Sequence, residues 1–216
     1  MARTITVKGT AEVSAKPDYI VLSMILKSHH MDYDKAMEMA AKHIRQLNQA
    51  LEGTGFEKGS LKTTNFNVRT DYDQEKDQYG NYRSVFNGYD VNHNLKLAFD
   101  FSMDMLSRAL SAIAGCPSHP QLSVSFTVKD ASAINEEMLR SAAASAKRKA
   151  EILCDASGVT MGDLLAISCD WGELEITSRT RFDCYESGRM MSEEMVDIEP
   201  DDIEMSDTAT FVWEIR

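Results

Sequence analysis

The sequence predicts an α+β protein, mostly antiparallel β-sheet with about three packed helices. Three observations carry this expectation. Many segments alternate apolar and polar residues with a period of two, three longer segments repeat apolar residues at helical spacing, and the strand segments fall in groups separated by those helices.

At the amino end Ile5, Val7, Ala11 and Val13 alternate with Thr4, Thr6, Lys8, Thr10 and Glu12, a strand with one wet face, in which Gly9 suggests a bulge. Pro17 interrupts ladder bonding, and Ile20, Leu22, Met24 and Leu26 then line one face of a second strand, expected to pair with the first as a hairpin. Asp32 or Asp34 can cap a helix carrying Ala36, Met37, Ala40, Ile44, Leu47 and Leu51, which ends at Gly53 or Gly55. Phe66, Val68, Thr70 and Tyr72 mark a strand, and Tyr89, Val91, His93, Leu95, Leu97 and Phe99 mark another.

Ser102 caps a shorter helix with Met105, Leu106, Ala109, Leu110 and Ile113, stopping at Gly115 before Pro117. Leu122, Val124, Phe126 and Val128 form a further alternating strand. The strongest helical pattern runs from about Ala131 to Ser157, with Ile134, Met138, Ala142, Ala146, Ala150 and Leu153 on one stripe, and Gly158 supplies its stop. Leu165, Ile167, Cys169 and Trp171 suggest a strand, and Ala209, Phe211, Trp213 and Ile215 the last one. The intervening acidic stretch, about 173–204, has weak periodicity and no clear core face, which predicts a long excursion in the form of a loop, a partly disordered segment or an interaction arm.

The composition narrows the classes of function. A chain of 216 residues with 43% hydrophobic and 26% charged residues is long enough for a core of its own. Its longest apolar runs, such as Tyr19 to Leu26, fall short of the ~20 residues of a membrane helix. The first ten residues carry no apolar h-region, so the sequence as written predicts a cytoplasmic protein. Cys116, Cys154, Cys169 and Cys184 form no CxxC pair and read as reduced thiols, the alternative being a secreted mature form that pairs them in one of three ways. A net charge of −11 with no basic face argues against nucleic acid as a partner. Ten acids between Asp183 and Asp207 face Arg189 alone, which concentrates most of that charge in one segment suited to basic protein surfaces.

Few residues suggest chemistry. Asp71, Asp73, Glu75 and Asp77 have the alternating rhythm of a calcium loop, but Lys76 and Tyr82 stand where an EF-hand needs Gly and a bidentate acid. Tyr79, Gly80 and Asn81 make good turn residues, so a β-hairpin accounts for the stretch better than a metal cradle. His93, on an apolar strand face, is a candidate for a ligand pocket or a general base, although no nucleophile motif accompanies it. His29 and His30 point to opposite faces of a strand and read as solvated. Lys147, Arg148 and Lys149 offer a helix face to an acidic partner. No HExxH, P-loop or GxGxxG motif points to a cofactor, so none is expected.

Taken together, "ITVKGTAEVSAKPDYIVLSMIL", "FNGYDVNHNLKL", "SFTVKDAS", "AAASAKRKAEILCDASGVTMGDLLAIS" and "DTATFVWEI" resemble, in order and spacing, the SIMPL-domain family, named for a signalling molecule associated with a pelle-like kinase. The resemblance covers nearly the whole chain, 1–216, as one SIMPL-like domain. It implies two related sheet-and-helix halves, a tendency to self-assemble, and no established catalytic residues. It also implies that the acidic stretch lies in a variable connection before the Gly-Tyr strand. Some relatives are linked to the envelope or to oxidative stress, which implies a periplasmic or envelope-associated address if a signal peptide has been removed.

The reading that follows is a non-enzymatic, self-associating binding or scaffold protein, with the acidic segment as a further contact for other proteins. Its alternatives are a small-ligand binder or enzyme built around His93, and a calcium-responsive module at Asp71–Asp77.

Overall fold

In the computed structural model, which describes residues 3–76, 80–169, 176–184 and 199–216, the elements follow the order of the sequence pattern. They are β1 (Thr4–Ala15), β2 (Tyr19–His30), α1 (Tyr33–Glu52), β3 (Lys62–Lys76), β4 (Tyr82–Asp100), α2 (Met103–Ala114), β5 (Gln121–Thr127), α3 (Ala131–Ser157), β6 (Met161–Ser168), β7 (Thr177–Cys184) and β8 (Ile203–Ile215). The fold is α+β, with two sheets ordered β1-β8-β6 and β3-β4-β2-β5-β7. The assigned pairings are antiparallel. The chain divides into two compact units, one of Met1–Asp18, Thr127–Arg179 and Pro200–Arg216, the other of Tyr19–Phe126 and Thr180–Glu199.

The first unit is the three-stranded sheet with α3. Asp130 caps α3 by accepting from the backbone N–H groups of Ser132 and Ala133, and Gly158 ends it at φ 67°, where only glycine is unstrained. The helix buries Met138, Ala142, Ala146, Ala150 and Cys154. Small residues recurring every four positions let its axis approach the strands closely. At Gly9 a Cβ would stand 2.0 Å from the Ala142 carbonyl oxygen. Gly9 is therefore present for helix contact and not for the expected bulge, because the β1–β8 register runs unbroken through Gly9↔Ala209. Val7, Val13, Ile203, Met205, Phe211 and Trp213 complete the core, with Phe211 and Trp213 stacked at 5.6 Å between ring centroids.

The second unit is the five-stranded sheet with α1 and α2. Ile20, Leu22, Met24 and Leu26 of β2 and Leu95, Leu97 and Phe99 of β4 point to one face, where they meet Leu47 and Leu51 of α1 and Leu106, Ala109, Leu110 and Ile113 of α2. Each fully buried large aliphatic side chain in this cluster contributes about 1.5–3 kcal/mol relative to exposure. Asp32 caps α1 through Lys35 N–H, and Ser102 caps α2 through Met105 N–H.

Two expectations are corrected. β1 and β2 are not a hairpin: β1 pairs with β8, β2 with β4, and they lie in different sheets. The Pro17 break lets the chain leave one ladder before entering the next. Asp18 is held at the break, its N–H donating to the Thr127 carbonyl and its carboxylate accepting from Lys129 N–H. Further, the excursion at 173–204 contains a strand, β7, and the first residues of β8. Within it Ile176 and Ser178 are buried, and Phe182 packs on the second unit's core, so a short alternation is present. The Ser178 hydroxyl donates to the Asp201 carbonyl. Residues 170–175 and 185–198 of the acidic segment lie outside the described residues.

Candidate functional site

β3 and β4 form the long hairpin expected around the acidic stretch, with Asp71, Asp73 and Glu75 on β3. Asp77 lies outside the described residues. Of the described acids, Glu75 is paired with Arg83 at 3.1 Å, while Asp71 turns to a different set of neighbours.

Those neighbours arise from the register. His29 of β2 stands opposite Asp90 of β4, and Asp71 of β3 stands opposite Gly88, two residues along β4 from Asp90. All are on the sheet face opposite the helix-covered core, because Leu26 and Ser28 of β2 and Val91 and His93 of β4 point inward. Gly88, at φ 121°, leaves no side chain between Asp71 and the β2 edge; a Cβ there would lie 2.7 Å from the His30 carbonyl oxygen. A bulge follows between Asp71 and Tyr72. The result is one imidazole nitrogen and two carboxylate oxygens within 4.8 Å of one another.

His29 Nδ1 lies 2.8 Å from Asp90 Oδ1, and the Asn87 amide donates to Asp71 Oδ2 at 2.8 Å. The hydrogen bond to Asp90 raises the His29 pKa above 6.5, with smaller electrostatic support from Asp90 and Asp71. Arg69 faces Asp90 from β3 in the register, yet no ion pair joins them among the described residues. The adjacent His30 is on the other face, where its Nδ1 accepts from Asp32 N–H at the start of α1. The expected separation of the two histidines is thus present, but His29 has carboxylate company that periodicity along one strand does not reveal.

His93 is buried, as its strand pattern implies. Its Nε2 lies 2.7 Å from Thr63 Oγ1, Phe66 meets the ring edge-on, and Nδ1 is buried without a hydrogen-bond partner among the described residues. Desolvation lowers its pKa below 6.5. Three surface depressions of about 480, 350 and 540 Å³ have other linings. Arg148 and Lys149 of the basic cluster line the last of these with Thr10, Glu12 and Ser145, and the Lys149 ammonium donates to the Lys8 carbonyl. Cys116, Cys154 and Cys169 are free thiols, and the side chain of Cys184 lies outside those described.

A separate surface was not legible as a site. β6 is an edge of the three-stranded sheet, yet it exposes Leu164, Leu165 and Ile167 at 47%, 53% and 57%. Leu164 and Ile167 stand opposite Trp213 and Phe211, which belong to the buried face beneath α3. The helix packs mainly on β1 and β8, so this apolar face continues past its cover to the sheet edge. The strand pattern around Leu165 and Ile167 was visible in sequence, but which strand would be an edge was not.

Among the described residues no helix is long and apolar enough to cross a membrane. No curated protein matches the chain. The SIMPL family model, described as a protein of unknown function (DUF541), matches residues 5–213. With nearly the whole chain matched, and with two antiparallel sheets and helices in α+β arrangement, this protein belongs to the SIMPL family.

Proposed function

We propose that the protein is a self-associating binding or scaffold protein, and that two copies associate through β6. The observation carrying this reading is the exposed apolar edge strand, with Leu164, Leu165 and Ile167 beside an open ladder. An edge strand presents unpaired N–H and C=O groups that readily add another strand. A second copy fits the chemistry of this edge better than an arbitrary partner. Asp163 is the single charged residue of Met161–Ser168, so antiparallel β6–β6 pairing about a two-fold axis brings like apolar surfaces together with little charge repulsion, despite a net charge of −11. The pairing continues the Leu164 and Ile167 face across two sheets.

Static light scattering on the full chain and on Ile167→Lys tests this. The wild type is expected as an oligomer and Ile167→Lys as a folded monomer with an unchanged circular dichroism spectrum, since the side chain is exposed in the single chain. An oligomer that survives both Ile167→Lys and Leu164→Lys overturns β6 as the interface.

A further inference from the structure

We propose that His29, Asp71 and Asp90 form a binding site for a divalent transition-metal ion of the zinc class, with solvent completing its coordination. The donor set is one imidazole nitrogen and two carboxylate oxygens, drawn from three adjacent strands and mutually within 4.8 Å. Borderline divalent ions take this mixture, whereas calcium prefers oxygen donors alone.

The 2.8 Å between His29 Nδ1 and Asp90 Oδ1 is a hydrogen-bond distance, and the two atoms have to part to roughly 3.3–3.6 Å, the spacing of tetrahedral ligands with bonds of about 2.0–2.2 Å, as the ion replaces the shared proton. Asp71 then has to draw in slightly. Among the described residues its side chain is held by Asn87, whose amide occupies Oδ2 and orients the carboxylate in the way outer hydrogen bonds orient metal ligands. Two carboxylates and a neutral imidazole balance a dication. Arg69, the cation in register with Asp90, is not engaged with it and leaves that carboxylate available.

The positions are built by the ladder. His29 and Asp90 are directly opposed, and side-chain-free Gly88 keeps the face clear beside Asp71. Proton and metal compete for the same Nδ1: the ion enters as His29 releases the proton that it shares with Asp90. All three residues belong to the unit that contains β2, β3 and β4, so the proposal stands independently of association through β6.

The test is calorimetric titration of chelator-treated full-length protein with Zn²⁺ near neutral pH, with Co²⁺ absorption as a spectroscopic readout. A single saturable site is expected, weakened roughly tenfold or more in His29→Gln and in Asp90→Asn and unchanged in Asp73→Asn. Circular dichroism melting verifies that each variant is folded, and Asp71→Asn supplies a third ligand variant. Absence of saturable binding, or equal binding by folded His29→Gln and Asp90→Asn, overturns the proposal.

Discussion

His29 Nδ1 and Asp90 Oδ1 lie 2.8 Å apart across the β2–β4 ladder, joining two residues separated by 61 positions in sequence. The hydrogen bond stabilises the imidazolium, so the folded pKa of His29 exceeds its ordinary value of 6.5. The stability it contributes is therefore present below 6.5 and lost as pH rises through the folded pKa. An NMR titration of metal-free protein is expected to show the raised pKa, and Asp90→Asn to lower it. An unshifted His29 resonance in the wild type contradicts the pairing.

His93 behaves in the opposite sense. Burial favours its neutral form, so the unfolded chain binds the proton more readily and stability falls as pH drops from 6.5 toward the lower folded pKa. Urea unfolding at successive pH values tests this, and His93→Phe is expected to reduce the acid sensitivity. Removing the imidazole also leaves Thr63 without its 2.7 Å partner, a loss of about 0.5–1.5 kcal/mol near neutral pH.

Gly9→Ala places a methyl group against the Ala142 carbonyl and Ala146 Cβ. Backbone on the facing helix cannot swing away as a long side chain would. The expected destabilisation is about 1–3 kcal/mol or somewhat more, read from the urea midpoint. A midpoint matching the wild type contradicts the close approach of α3 to β1.

Asp130→Ala removes the acceptor for Ser132 and Ala133 N–H at the start of α3. The expected loss is about 1 kcal/mol, recovered in large part by Asp130→Asn or Asp130→Ser. Thermal melting of the three variants checks the order.

The helices were nearly complete in the sequence because their signals are local: Asp32 and Ser102 cap where caps were expected, Asp130 caps one residue before the expected helix start at Ala131, and Gly53, Gly115 and Gly158 stop them. Strand partners were less legible. Nothing near Pro17 states that Ile5 will face Trp213 or that Ile20 will face Phe99, since pairing is a long-range choice. β7 was hidden for a different reason: buried Ser178 reads as polar, and the surrounding acids mask an alternation only a few residues long. The His29 cluster depends on two ladders and a bulge at once. Asp71 was singled out for its neighbours in sequence, Asp73 and Glu75, whereas its geometric companions come from β2 and β4.

Native mass spectrometry of the full chain over a range of concentrations tests the central claim of self-association most directly. A dominant species at an even multiple of the 24.2 kDa chain mass is expected. A monomer at every concentration contradicts it.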